Sequence, residues 1–323
     1  MRRPATAVSA LALTLGLASL VAGGPVWGAF GSTTPSAGNT ITAATDFRAP
    51  TSSATVIAKS AGGTTGYVKQ GGAYFVYAKV TDTGNPASGI SAVTANVSSI
   101  TTGQTAAALS AGSYTVSGSS YNYRSASLTA NASLTAGSYS FTLTMTDAAG
   151  NSGTQSGLSV TVDNTVPTAS DIQTANGGSI AGRPEQNDTI TYTFSEPPEP
   201  NSILSGWTGA ATNVVVRVNN ATNDNVRIYN SANTAQLPLG SVDLGRTDYV
   251  SANRTFGATG TASSMVLSGS TITITLGTQS GAGTTAAATG TMIWTPSATA
   301  TDRAGNAMST ATATETGAAD KEF

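Results

Sequence analysis

The sequence predicts an all-β protein built from two β-sandwiches. Three observations carry this prediction. Apolar residues alternate with Ser and Thr along the chain beyond residue 54, and no segment beyond residue 30 sustains the apolar spacing of an amphipathic helix. Clusters of Gly and Asn interrupt the alternating segments at intervals of about ten residues, as in sandwiches. The 323 residues are enough for about two domains of ordinary size.

The composition excludes several classes of function. Only 9% of the residues are charged, the net charge is −2, and no run of five Lys or Arg exists, so a nucleic-acid-binding surface is not expected. The chain contains no Cys and no His. Disulfides, thiol nucleophiles, Ser-His-Asp triads and zinc sites built from Cys or His are therefore excluded.

The first 29 residues read as a secretory signal peptide. Arg2 and Arg3 precede an uncharged apolar run over residues 8–22, which is followed by Gly, Gly and Pro. Cleavage after Gly28 or after Ala29 fits the segment. A retained membrane anchor is the alternative, although the apolar run is short for a membrane span. With cleavage, the mature protein has no membrane contact and is secreted or held at the cell surface.

Residues 30–49 read as a flexible linker, because they are rich in Ser, Thr, Gly and Ala. The stretch VWGAFGSTTPSAGNTITAATDF, residues 26–47, resembles the start of camelysin-type biofilm matrix proteins. That resemblance implies processing by a dedicated signal peptidase at Phe30. Residues 30–46 would then form a free strand that pairs with an open sheet edge of a neighbouring copy.

The strands are predicted from alternation with a period of two. SYSFTLTMTD is the clearest example, and TITYTF, TITITL and LSVTV repeat its pattern. In SYSFTLTMTD we expect one face to be buried and Thr142 and Thr144 to be exposed; the buried residues are Tyr139, Phe141, Leu143 and Met145. The one helical candidate is a single turn in PNSILSGW, capped by Asn201 or Ser202.

The motif Thr-Asp-x-Ala-Gly-Asn occurs twice, as TDAAGN from residue 146 and TDRAGN from residue 301. Asp and Asn side chains bind nearby backbone groups in tight turns, and Gly adopts a positive φ without steric strain. We therefore predict two turns of the same kind, the first joining the last two strands of a sandwich. A calcium site needs more oxygen ligands than one Asp and one Asn supply.

VTVDNTVPTAS, residues 160–170, closes a strand and carries a Pro, so we place a domain boundary near Thr165. The domains would be residues 50–164 and the larger 165–323. The first resembles bacterial immunoglobulin-like (Ig-like) domains through VKQGGAYFVYAKVTD, SGISAVTANV, AGSYSFTLTMTDAAGNSG and VDNTVPT. The second resembles the Ig-like modules of S-layer-type proteins through DTITYTFSEPPEPNSI, STITITL and TDRAGNAM, but carries extra strand-like pieces between residues 213 and 256. The resemblance implies two tandem Ig-like sandwiches.

Three groups of residues are candidates for functional sites. Glu196 and Glu199 in SEPPEP would suit glycoside hydrolysis if held across a cleft, but a polar loop that ends the preceding strand is favoured. Trp294 reads as core, and Trp207 is the better sugar-binding candidate, although core packing is favoured for it too. Calcium stays open at Asp residues near strand ends, although the sequence gives no site enough ligands; these are Asp82, Asp147, Asp163, Asp171 and Asp302.

The sequence thus predicts a non-catalytic extracellular structural or cell-surface protein, serving as a spacer, matrix or envelope component. The alternative is an adhesin or carbohydrate-binding protein whose site lies on loops of the second domain. No catalytic, cofactor-binding or metal-binding residue is assigned, and the residues that would bind a ligand are unknown. The expected partners are cell-envelope or matrix polymers or further copies of the chain.

Overall fold

A computed structural model describes residues 46–319 and 321–323 of the chain. The predicted signal peptide, and residues 30–45 of the predicted linker, lie outside these residues. The first sandwich contains nine strands: β1 (Thr51–Lys59), β2 (Tyr67–Val68), β3 (Ala73–Thr81), β4 (Ile90–Asn96), β5 (Ala107–Val116), β6 (Ser119–Ser125), β7 (Leu128–Thr129), β8 (Gly137–Asp147) and β9 (Ser152–Val162).

The first sandwich has two layers that share one strand. One layer pairs β1, β3, β6 and β7, and the other pairs β4, β8, β9 and β2. Strand β5 crosses between them, because residues 107–108 pair with β4 and residues 109–116 pair with β6. All pairings are antiparallel except that of β2 with β9, which is parallel. Between the layers lies a core that includes Tyr74, Leu143 and Val160.

The second sandwich contains ten strands and one short helix. Its strands are β10 (Ala169–Ala175), β11 (Thr189–Phe194), β12 (Thr212–Asn219), β13 (Asn225–Asn230), β14 (Ser241–Asp243), β15 (Arg254–Phe256), β16 (Ser263–Ser268), β17 (Thr271–Thr275), β18 (Ile293–Thr295) and β19 (Ala313–Thr314). They pair in the order β10-β11-β17-β16-β12-β13-β14-β18-β19, with β15 beside β12. The sheet curls so that β10 also lies against β18 and β19.

The predicted alternation is confirmed in both sandwiches. On β8, Phe141, Leu143 and Met145 are buried, while Tyr139 at the end of the strand is half-buried. Thr142 and Thr144 point to the other face, but they are half-buried rather than exposed. Their exposure is reduced because β4 and β9 flank the strand on both sides. No slip of register has occurred, since a shift of one residue would bury the threonines and expose the apolar face.

The core of the second sandwich surrounds Trp294, which is fully buried as predicted. The rings of Tyr192 and Phe194 on β11 meet it edge-on at centroid distances of 5.1 and 5.0 Å. The indole Nε1 donates to the backbone oxygen of Leu239, so the polar end of this large side chain is satisfied. The extra strand-like pieces expected between residues 213 and 256 form β12 to β15.

The single helix of the second sandwich, α1 (Pro200–Ile203), lies in the segment where one turn was predicted, but the predicted caps Asn201 and Ser202 are wrong. Glu199 is the N-cap residue, and its side chain accepts from the backbone N–H of Asn201. The turn starts earlier than expected because Pro200 takes the first helical position, where its fixed φ fits and its missing N–H does no harm.

Candidate functional site: the joint between the sandwiches

The two copies of the repeated motif form the same turn. In the first, Asp147 accepts from the backbone N–H of Asn151 at 2.8 Å and from its Nδ2 at 2.8 Å. In the second, Asp302 accepts from the same two groups of Asn306, each at 2.7 Å. The first copy joins β8 to β9, the last strands of their sandwich, as predicted. The second lies between β18 and β19, flanked by single bridges and not by strands.

Each turn binds an aspartate that lies a few residues before the first strand of the same sandwich. Asn151 donates through Nδ2 to the backbone oxygen of Asp46 at 3.2 Å, and Asn306 donates in the same way to Asp163 at 2.9 Å. Both aspartates begin an Asp-x-x-x-Pro segment, DFRAP at residue 46 and DNTVP at residue 163. Asp46 was assigned to the linker from the sequence, yet it is only 4% exposed and is bonded to the first sandwich.

A third carboxylate completes a cluster at each turn. The first acidic cluster consists of Asp46, Asp82 and Asp147, and the second acidic cluster of Asp163, Glu196 and Asp302. In each cluster the carboxylate oxygens include a set in which all three lie within 4.8 Å of one another. The third member follows a strand in both cases, since Asp82 comes after β3 and Glu196 after β11. Sequence reasoning missed both clusters because their members are distant along the chain.

The charge states of the clusters differ. Burial, followed by the negative charges of Asp163 and Asp302, raises the pKa of Glu196 to about 7. Its Oε1 is buried and accepts no hydrogen bond among the described residues. The backbone N–H groups of Arg48 and then Ser88 lower the pKa of Asp46. Carboxylates this close are the usual ligands of Ca²⁺, but they also share a proton or bind backbone N–H groups.

The second acidic cluster lies at a joint formed by residues of both sandwiches. The centre of the joint is an ion pair, Lys59 Nζ to Glu199 Oε2, at 2.6 Å with side chains 9% and 3% exposed. Lys59, at the end of β1, also donates to the backbone oxygen of Arg303 at 2.8 Å. Glu199 accepts a second bond at Oε2 from the backbone N–H of Thr64 at 2.8 Å. Both ends of the buried pair are therefore supported by further hydrogen bonds, as such pairs require.

Two further hydrogen bonds hold the region around the second motif turn, one to the turn itself and one just beyond it. Lys69, just after β2, donates to the backbone oxygen of Gly305 at 2.7 Å. Ser309 donates its backbone N–H to Pro167 in the segment that connects the sandwiches. The carbonyl oxygens of this turn thus bind two lysines of the first sandwich. The contact between the motif turn and these lysines could not be predicted from the sequence. The motif predicts the turn, but it does not indicate which distant residues lie beside it.

The residues weighed as functional from the sequence do not form one site. Glu196 joins the second acidic cluster, whereas Glu199 pairs with Lys59, so the two carboxylates have different partners and roles. Glu199 was expected in a polar surface loop, and it is buried because a lysine of the other sandwich meets it. Trp207 is only 7% exposed, with its Nε1 bonded to the Ala210 oxygen. Asp171 lies apart and accepts from Thr316.

Residues 78–164 match the sequence model of a family described as bacterial Ig-like domain. The match runs from the middle of β3 to the end of β9 and includes the first motif turn. This chain carries a bacterial Ig-like domain. The matched residues leave out β1 and β2, which pair with β3 and β9 and complete the two layers of the first sandwich. No curated protein matches the chain.

Ig-like domains of bacteria are generally non-catalytic and are commonly extracellular or on the cell surface. The Ig-like domain therefore suggests a structural or adhesion-type role at the cell surface or outside the cell. Within residues 46–319 and 321–323, no helix has the length and apolar character needed to cross a membrane.

Proposed function

We propose that this protein is a non-catalytic spacer or building block of a bacterial envelope or extracellular matrix, in which two sandwiches act as one stiff unit. The observation that carries the proposal is the joint. The Lys59–Glu199 pair is buried, and hydrogen bonds to Arg303 and Thr64 fix both of its ends. Neighbouring domains move independently unless their interface is substantial, so a buried, bonded joint is a device for holding orientation.

A buried ion pair supports this role better than an apolar contact would. Replacing such a pair by apolar residues is often neutral for stability, so its worth lies in geometry. An ammonium group and a carboxylate must meet at one distance and one angle, whereas apolar surfaces slide over one another. The Lys69–Gly305 bond adds a second directional contact between the sandwiches, and the Asn306–Asp163 bond ties the second motif turn to the segment that follows β9.

The alternative function is an adhesin that binds sugar through an exposed Trp207. The observation that would support it is missing, because that indole is buried. The partners we propose are those expected of a spacer, namely polymers of the envelope or matrix and other copies of the chain. Fractionating the producing bacterium and identifying the mature N-terminus by mass spectrometry tests this placement. Recovery of the protein with its N-terminal segment intact in the cytosol would contradict it.

The stiffness is tested by NMR residual dipolar couplings on the purified protein. We expect both sandwiches of the wild type to report one alignment tensor. Glu199→Gln removes the carboxylate charge at nearly constant volume and leaves Lys59 unpaired, so the two sandwiches should report different tensors. Asp248→Asn is the matched control, because it breaks the more exposed Arg246–Asp248 pair within the second sandwich. Two independent tensors in the wild type would refute a stiff unit.

A further inference from the structure

A groove crosses the surface at the joint and is lined by both sandwiches. Its first compartment, of about 430 Å³, lies between the loop at Thr64 and Thr65 of the first sandwich and the segment around Trp207 of the second. A second compartment, of about 400 Å³, continues past Thr208 to Arg303. Thr64, Pro200 and Thr208 line both compartments, so the groove is continuous. Sites of this size at domain boundaries are typical of ligand binding.

The first compartment offers neutral polar groups beside an indole. The negative charge of Glu199 is balanced by Lys59, and its Oε1 accepts only two long hydrogen bonds of 3.4 Å each. Among the described residues, the Asn201 Nδ2 and the hydroxyl of Thr65 have no hydrogen-bond partner. An amide and a hydroxyl without a protein partner, beside a carboxylate oxygen that accepts only long bonds, suit a ligand that is rich in hydroxyls.

The second compartment contains a cation without a counterion. Arg303 makes no ion pair with any described residue, and its Nε is buried without a hydrogen bond. Its guanidinium stands 6.0 Å from the centre of the Tyr67 ring, on the first sandwich. A guanidinium offers a planar set of donors that matches a carboxylate in a forked geometry. This end of the groove therefore favours an anionic group.

We propose that the groove binds an acidic oligosaccharide, with a uronic-acid carboxylate on Arg303 and the hydroxyls of a neighbouring sugar ring on Asn201 and Thr65 in the first compartment. The protein has a net charge of −2, so general electrostatic attraction does not draw an anionic glycan to it. Binding must come from the local site. The proposal goes beyond the spacer role but rests on the same joint, since residues of both sandwiches line the groove. The residual dipolar couplings test the joint, and the titration with sugars tests the groove.

The test is isothermal titration calorimetry of the whole protein with alginate hexasaccharide, a polymer of uronic acids, and with maltohexaose as the neutral probe. We expect the wild type to bind alginate hexasaccharide and to bind maltohexaose more weakly by about tenfold or more, the worth of a charge-assisted contact. Arg303→Gln should abolish this preference. It keeps the backbone oxygen that binds Lys59, so the joint remains.

Arg227→Gln is the matched control, because Arg227 is exposed on β13 and lines neither compartment. It should bind alginate hexasaccharide as the wild type does, and a circular dichroism melt should show that both variants are folded. Asn201→Ala should weaken binding of both probes, since it removes a donor from the neutral compartment. The proposal is overturned if the wild type binds neither probe, or if Arg303→Gln and Arg227→Gln bind alginate hexasaccharide equally.

Discussion

The two acidic clusters share one plan and differ in what surrounds them. In the first, Asp82 accepts backbone N–H groups from Gly84 and Gly89, so the third carboxylate is held by its own loop. In the second, a buried oxygen of Glu196 has no hydrogen-bond partner in the part of the chain that the structure describes. The first motif turn belongs to one sandwich, whereas the second also binds Lys59 and Lys69 of the other. The same local turn thus serves as a simple hairpin in one place and as part of a joint in the other.

This difference shows that the motif determines the conformation of the turn, while the residues around it determine whether the turn takes part in the joint. In both copies the Asp side chain binds the backbone N–H and the side chain of the Asn, and in the second copy two backbone carbonyl oxygens bind lysines of the other sandwich. Whether those carbonyls bind another domain depends on lysines that lie far away in sequence.

The largest effect is expected at the buried ion pair, which only the second motif turn touches. Lys59→Met leaves the Glu199 carboxylate without its counterion in a buried place, so the free energy of unfolding should fall by about 3 kcal/mol. The double variant Lys59→Met with Glu199→Met should recover to within about 1 kcal/mol of the wild type, because no charge is then left unpaired. Urea denaturation measures both. A neutral single variant would show that the pair is not buried in solution.

The next effect compares the aspartates of the two turns. Asp147→Ala and Asp302→Ala each remove an acceptor for two groups of the following Asn, and each should lower the free energy of unfolding by about 2 kcal/mol. The Asp302 variant should exceed the other by about 1 kcal/mol, since it also loosens the turn that the two lysines bind. Differential scanning calorimetry gives both values. Equal losses would mean that the joint does not depend on the turn.

Substitution of either glycine of the motif should lower stability by a similar amount, because the backbone strain that a side chain causes there is local. Gly150 and Gly305 have φ values of +91° and +93°, as the sequence predicted, in a region that side chains rarely adopt. Substituting Ala for either should lower stability by about 1 kcal/mol. At Gly305 the added Cβ would meet Lys59 Cδ at 3.5 Å, an ordinary contact, so the joint adds little to the cost. Melting temperatures that differ widely between the two variants would contradict this.

The pH dependence should come from the second acidic cluster. The pKa of Glu196 is raised from 4.5 to about 7, so between these values the folded protein holds a proton that the unfolded chain releases. The contribution of this group is therefore complete below pH 4.5 and is lost as the pH rises through about 7. Melting temperatures at pH 5 and pH 8 should differ less in Glu196→Gln than in the wild type.

The matched variant for this measurement is Asp82→Asn, which changes the same place in the first acidic cluster. Because it leaves Glu196 untouched, the wild-type dependence on pH should persist. If Asp82→Asn flattens the pH profile as much as Glu196→Gln does, the dependence does not arise at the joint.

The smallest effect is expected on chelation. The backbone N–H groups that bind Asp46, Asp82 and Asp147, and the turn groups that bind Asp302, stabilise these carboxylates without a cation. EDTA should leave the melting temperature unchanged. A fall that added Ca²⁺ reverses would overturn the interpretation of the motif as a turn alone and would assign a cation to one or both clusters.

The strands were predictable from sequence because burial of one sheet face requires apolar and polar residues to alternate along each strand. Phe141 and Leu143 alternate with threonines, and their burial follows from that alternation alone. The motif turn was predictable for the same reason, since Asp, Gly and Asn act on their immediate backbone. The joint was not predictable. Lys59 and Glu199 are 140 positions apart, and no pattern in the sequence near either residue indicates that the two side chains pair.

One trace of the clusters does exist in the sequence. The Asp-x-x-x-Pro segments at Asp46 and Asp163 recur just as the motif does, and pairing the two repeats would have placed each aspartate beside its turn. The third carboxylates differ in type, Asp82 in one sandwich and Glu196 in the other, so no repeat marks them. The core packing favoured for Trp207 is confirmed by its burial, although a Gly-flanked aromatic in a loop carries no periodic pattern from which burial could be predicted.

The parallel pairing of β2 with β9 has a mechanical consequence. The two strands lie near opposite ends of the first sandwich's chain, so tension on the ends pulls them in opposite directions along their length. Once β1 has been stripped from β3, the bonds from Thr161 to Gly66 and from Asp163 to Val68 are sheared together and not unzipped one by one. The backbone oxygen of Asp163 also accepts the hydrogen bond from Asn306 of the second motif turn. A pull transmitted from the second sandwich therefore arrives at the place where the first resists extension best.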